Sequence, residues 1–263
     1  MRILIPAAAC ALAFVAMSGC NARHNASNFA GRASDEWKRS YPLAAGGELQ
    51  IVGGSGSVEI HGGTGSTIEV TAERVARAAT DEAAREVVPR IEIHEDVTPD
   101  KVVIQSEGLR GIVIGVELRI NYKVTVPGSA KVRVRTVDGP ITITDVDGRV
   151  VASSTNGEVV IRNVKGGVDA RTVNQNVTVD LASFANDPVE IRAVNGNVAL
   201  TLPTSTNATL EANLTNGTVD VKDVPFEAFG EQTKRRTRGR LNAGGPPIDV
   251  TTINGNITVG ARP

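Results

Sequence analysis

From Val132 onward, apolar and polar positions alternate in blocks of nine residues: VRVRTVDGP (132–140), ITITDVDGR (141–149), VVASSTNGE (150–158), VVIRNVKGG (159–167) and VDARTVNQN (168–176). Later blocks restart in the same phase at 177, 189, 198, 210, 219, 248 and 257, separated by short insertions or a longer loop. Positions one and three are apolar with a polar residue between, the period-2 mark of a strand that buries one face. Valine and isoleucine dominate there (Val132/Val134, Ile141/Ile143, Val177/Val179, Val189/Ile191, Ile257/Val259). Their β-branching suits a pleated, half-buried surface. A third apolar residue (Val137, Val146, Val164, Val173, Val194, Ile253) is expected to point inward after a short kink. An Asn-Gly or Asp-Gly pair then turns the chain, since both residue types accept corner conformations at low cost.

Asn-Gly between alternating strands also marks hairpins. The constant phase argues against a meander, because hairpins give no reason for like residues to recur at like places, whereas stacked coils do. Asp138 to Asn156 and Asn156 to Asn174 are each 18 residues apart; Asn174 to Asn195 and Asn195 to Asn216 are each 21. The expected fold is therefore all-β, a parallel β-solenoid (β-helix or β-roll like) with coils of 18–21 residues and two or three short strands per coil. Successive coils would stack about 4.8 Å apart.

The pattern is interrupted three times. Residues 72–89 (AERVARAATDEAAREVVP) are alanine-rich and predict one short helix, with Asp81 and Glu82 in an early turn after Thr80 and Pro89 stopping it. Val116–Val126 alternates strictly and ends at Pro127-Gly128. Residues 225–247 form a glycine- and arginine-rich excursion before the last coil.

The N-terminus carries Arg2 and a 15-residue apolar run, Ile3–Met17, short for a membrane span and suited to a secretory signal. It ends at Met17-Ser18-Gly19-Cys20, which resembles the lipobox of bacterial lipoproteins; the resemblance implies cleavage after residue 19 and lipidation of Cys20. Asn21 rather than aspartate follows it, and the same resemblance to lipoproteins then implies onward sorting to an outer membrane where one exists. Cys10 would leave with the signal, so the mature chain would hold one cysteine and no internal disulfide. Residues 20–47 are expected as a flexible tether, with Trp37 and Tyr41 packing on the first coil, and 48–263 as the solenoid domain.

The lipoprotein start, early helical insertion, Val126-Pro127-Gly128 and Asn-Gly coils closing on Ile253-Asn-Gly-Asn-Ile257 together resemble the DUF4097 family of putative adhesins, over residues 49–260. The resemblance implies a solenoid with a surface role and supplies no catalytic residues.

Composition narrows the chemistry. Aromatics are 3% of the chain, so the core must be stacked Val, Ile, Leu and Ala. A formal net charge of -1 gives no global attraction for nucleic acid. Gly53-Gly54-Ser55-Gly56 and Gly62-Gly63-Thr64-Gly65 resemble calcium β-roll repeats, but Val58 and Thr67 stand where that repeat needs aspartate. Asp145 and Asp147 read as corner residues, and His24, His61 and His94 lack metal-ligand spacing, so no metal or other cofactor is expected. The strings at Asn176, Asn207, Asn216 and Asn256 mimic glycan acceptors and read as corner asparagines.

Outward positions should stack an arginine column (Arg135, Arg171, Arg192) beside a carboxylate column (Asp169, Glu190, Glu211, Asp249). A basic run, Lys234, Arg235, Arg236, Arg238 and Arg240, puts five cations within seven residues and is the candidate polyanion contact. The expected function is a lipid-anchored, non-catalytic envelope protein for adhesion or interaction, meeting the membrane through its lipid and an envelope polysaccharide or surface protein through its fold. The competing reading is a polysaccharide-active β-helix enzyme, which would need a groove of convergent carboxylates.

Overall fold

The computed structural model describes residues 29–107, 115–184, 187–230 and 232–262. The nine-residue blocks form strands that alternate between two sheets, so each coil holds two strands. Lys131–Arg135, Val150–Ser154, Val168–Thr172 and Val189–Ala193 pair in parallel in one sheet, with like positions opposed (Val132, Val150, Val168, Val189). Ile141–Thr144, Val159–Val164, Val177–Leu181 and Val198–Leu202 do the same in the other. Their inward residues meet between the sheets: Val132, Val150, Val168 and Val189 from one face, Ile141, Val159, Val177 and Val198 from the other, each at most 1% exposed. Burying each such side chain contributes about 1.5–3 kcal/mol, which is how a core nearly without aromatics holds.

At both ends the spatial order departs from the chain order. Read along the two sheets, the coils run 101–127, 48–63, 131–144, 150–164, 168–181, 189–202, 247–261, 208–221. The coil 48–63 thus lies between 101–127 and 131–144, and the coil 247–261 lies between 189–202 and 208–221. The direct Asn195–Asn216 stacking expected from their spacing of 21 is therefore corrected: Asn254 stands between them.

Antiparallel strands close the ends. Thr67–Ala78 lies on Glu117–Pro127, and Gly31–Pro42 lies on Thr67–Ala78 through 12 paired positions. Glu92–Val97 flanks Lys101–Glu107 at the same end of the other sheet. At the far end Arg236–Leu241 lies on Ala208–Asn216, followed by Phe226–Ala228. Capping strands that break the parallel repeat shield the open sheet edges.

Four local expectations change. The segment 20–47 holds a strand from Gly31 onward, with Tyr41 in the core and Trp37 packed against it. Its polar composition reflects an edge strand, where Asp35 binds Arg74 (Nε–Oδ1 2.8 Å). The helix covers only Asp81–Val87, capped by the Thr80 hydroxyl accepting from Ala83 N–H, and a 3-10 turn follows at Val88–Arg90. Residues 72–78 are strand instead, with Ala72 buried in the main core and Ala76 and Ala78 packed with Ala84, Val87 and Val88 of the helix and its following turn. The two corners also differ. Val146 and Val164 are fully buried as expected, whereas Val137, Val173 and Ile253 are 48%, 38% and 44% exposed. At that second corner the inward place falls one residue earlier, to Thr136, Ser154, Thr172 and Thr252. Their buried hydroxyls are satisfied by corner carbonyls, as Thr172 Oγ1 donates to Gly157 O (2.9 Å) and Thr252 Oγ1 to Gly196 O (3.0 Å).

Candidate functional site

The Asn-Gly corners build a continuous amide ladder along one edge of the solenoid. Asn216 Nδ2 donates to Asn254 (2.8 Å), Asn254 to Asn195 (2.8 Å), Asn195 to Asn174 (3.0 Å), Asn174 to Asn156 (2.8 Å) and Asn156 to Asp138 (2.6 Å). Every amide donates in the same direction, so the row ends on a carboxylate. A second row runs beside it: Asn176 Oδ1 accepts from Asn197 N–H, Asn197 from Asn256 N–H and Asn256 from Thr218 N–H. The glycan-like strings at Asn176, Asn216 and Asn256 therefore serve coil stacking, and Asn207 accepts from Ala243 N–H. The glycines follow from close approach. A Cβ on Gly157 would lie 1.7 Å from Gly139 O, and one on Gly255 2.1 Å from Gly196 O.

The head of the ladder opens into a cleft of about 470 Å³. Asp138 and Asn156 come from the coils, Ser55 and Ser57 from the coil 48–63, and Glu117 and Arg119 from the coil beyond it. Asp138 Oδ1 is taken by Asn156, while Oδ2 lies 3.5 Å from Ser55 Oγ, the outer limit of a hydrogen bond. Arg119 binds Glu117 Oε1 through Nε (2.7 Å) and Nη2 (2.6 Å). No sequence argument singled out this cleft, because Arg119 and Asp138 meet only through the displaced order of the first coils.

The outward charge columns exist, with a modified register. Asp169, Glu190, Asp249 and Glu211 stand on four consecutive strands. In the other column Arg171 and Arg192 are neighbours, while Ser153 separates Arg171 from Arg135. Arg171 bridges Asp169 and Glu190, and Arg192 binds Glu190. This is a flat sheet face on which the charges largely pair among themselves. Among the described residues, no group of three or more His, Cys, Asp and Glu is arranged to hold a metal ion.

The basic run is a turn and a strand rather than a loop. Arg236 and Arg238 reach Glu211 (3.2 and 3.8 Å), and Arg240 binds Glu227 (2.8 Å). The Asn213 amide, then Arg236 and Arg238, hold the Glu211 carboxyl below its usual value against a partial desolvation. Arg238 also lies over the Phe229 ring, 5.4 Å from its centre. Lys234 and Arg235 are exposed and make no ion pair among the described residues. At the opposite end burial pushes the Tyr122 hydroxyl up to about 12, and burial with the Glu95 hydrogen bond (2.6 Å) raises Tyr41. Cys20 lies outside the described residues, as does the whole expected signal segment. No helix among the described residues is long and apolar enough to cross a membrane.

The sequence profile of the Toastrack DUF4097 family matches residues 129–260. No curated protein matches the chain. Among solved structures it is similar to a putative cell adhesion protein from Clostridium sporogenes, at 14% identity and a TM-score of 0.42, covering 87% of this chain and 100% of that one. It is also similar to a putative adhesin from Bacteroides fragilis, at 11% identity and a TM-score of 0.32, covering 87% and 97% of the two chains. A putative adhesin from Parabacteroides distasonis shows 13% identity and a TM-score of 0.27 over the same shares.

Proposed function

The chain belongs to the Toastrack DUF4097 family, and on that footing we propose a non-catalytic adhesion or interaction protein, held at the bacterial cell envelope by a lipid on Cys20. The observation that carries the reading is the outward surface itself. Its acidic row, Asp169, Glu190, Asp249 and Glu211, lies on a flat sheet face beside its own arginines. A glycoside-cleaving site instead needs two carboxyl groups flanking a bond within a groove, and the two carboxylates of the cleft at the head of the ladder are engaged by neighbours, Asp138 by Asn156 and Glu117 by Arg119. A rigid sheet of fixed columns suits presentation to a polymer or a protein partner. The lipobox-like Met17–Cys20 supports an envelope position, and Asn21 supports the outer membrane.

Within this reading Lys234 and Arg235 are the cations available to an anionic envelope polymer, since Arg236, Arg238 and Arg240 are occupied by Glu211 and Glu227. Exchanging Lys234 and Arg235 together for alanine should lower retention on immobilised anionic polysaccharide more than exchanging Arg236 and Arg238. Equal losses would remove the distinction between free and occupied cations.

Two measurements test the whole. Labelled palmitate should enter the full chain expressed in a bacterial host and not its Cys20→Ala variant; label entering both contradicts the anchor. Incubation with a panel of envelope polysaccharides should show retention without chain shortening. Release of new reducing ends would contradict the non-catalytic reading.

A further inference from the structure

The cleft at the head of the amide ladder has features that stacking alone does not require. A ladder of asparagines could end on another asparagine, yet its last member is Asp138, which accepts from Asn156 and keeps Oδ2 with only the long 3.5 Å approach of Ser55 Oγ. One-directional donation along the row leaves the carboxylate as its terminal acceptor. Across the cleft Arg119 is aligned by Glu117 through Nε and Nη2, while Nη1 takes no hydrogen bond among the described residues. The floor is backbone: Gly139 approaches Gly56 so closely that a Cβ would lie 2.0 Å from the Gly56 carbonyl oxygen, and both glycines have positive φ (140° and 128°).

We propose that this cleft is a binding site for a neutral saccharide unit. Asp138 would accept from ligand hydroxyls, and Arg119 Nη1 would donate to a hydroxyl or ring oxygen. The volume, about 470 Å³, lies within the range of about 300–1,000 Å³ typical of small-ligand sites. The charge balance selects the class. Two carboxylates, Asp138 and Glu117, stand against one guanidinium, so an anionic sugar is repelled, while hydroxyls find both an ionised acceptor and a donor. This site is separate from Lys234 and Arg235, which lie at the opposite end of the solenoid. The proposal rests on the adhesion reading only in supposing an external ligand.

The test uses the purified full chain, ¹⁵N-labelled, titrated with methyl glucoside, methyl galactoside, methyl mannoside and N-acetylglucosamine, with glucuronate as the anionic probe. At least one neutral sugar should shift the side-chain amides of Asn156 and of Asn121, which also lines the cleft. Asp138→Asn, which can continue the amide ladder and so preserve the fold, should weaken that binding about tenfold, the scale of losing a charge-assisted bond. Lys234→Ala should leave it unchanged. The proposal is overturned if no neutral sugar moves these amides, if Asp138→Asn binds as well as the parent, or if glucuronate binds more tightly. Sugar binding without surface attachment would count against the adhesion reading alone, and attachment without sugar binding against the cleft alone.

Discussion

Asn254 donates its side-chain amide to Asn195, 59 residues earlier in the chain, across 2.8 Å, and accepts from Asn216 across the same distance. Asn254 therefore takes part in two ladder bonds and Asn216 in one. A net hydrogen bond contributes about 0.5–1.5 kcal/mol, towards the low end at an exposed edge. Asn254→Ala should lower the urea unfolding midpoint about twice as far as Asn216→Ala. Equal losses would show that the number of ladder bonds does not set the cost.

Close approach and backbone conformation make separate demands on glycine here, and two substitutions divide them. Gly157 has no room, since a Cβ would sit 1.7 Å from Gly139 O. Gly46 has open space around it but a φ of 72°. Gly46→Ala should cost about 1–2 kcal/mol, the left-handed penalty alone. Gly157→Ala should cost about 3 kcal/mol or more, since the coils must part to admit it. Thermal unfolding of the two variants checks the order.

The charge network at the C-terminal cap predicts an acid-side dependence. The Asn213 hydrogen bond, with Arg236 and Arg238, lowers the folded Glu211 value below the ordinary 4.5. A depressed folded value means that the ionised form stabilises the fold. That contribution is fully present above the unfolded value and is lost as pH falls through the folded one. The stability gap between the parent and Glu211→Gln should therefore be constant near neutrality and shrink below about pH 4.5. A gap that widens in acid would reverse the assigned sign.

Much of the architecture was legible in the sequence because stacking imposes like on like. The phase of nine, the Val and Ile positions and the Asn-Gly corners give the parallel solenoid, and Asp138, Asn156, Asn174 and Asn195 do form one row. The spacing failed where two coils compete for one place. Asn216 lies 21 residues after Asn195, as Asn195 does after Asn174, and nothing local shows that residues 247–261 return to stand between. The strand Gly31–Pro42 was hidden for a related reason. An edge strand needs only a few apolar residues, Trp37 and Tyr41 here, and its charged remainder reads as a tether. Val137, Val173 and Ile253 were misassigned because the two corners share a template but turn differently, one burying a valine and the other a Thr or Ser hydroxyl. The cleft could not be read at all, because Arg119 and Asp138 belong to coils whose order the chain does not follow.

The displaced order of the coils underlies both the ladder and the cleft, and paired cysteines test it most directly. Arg192 and Thr251 are partners on adjacent parallel strands, and Asn213 lies on the far side of Thr251. Adjacent strands lie about 4.8 Å apart, within disulfide reach, whereas positions two strands apart exceed the limit of about 7 Å. In a background with Cys10→Ser and Cys20→Ser, Arg192→Cys with Thr251→Cys should form an intramolecular disulfide on mild oxidation, and Arg192→Cys with Asn213→Cys should not. A disulfide in the second pair and none in the first would contradict the insertion of the final coil.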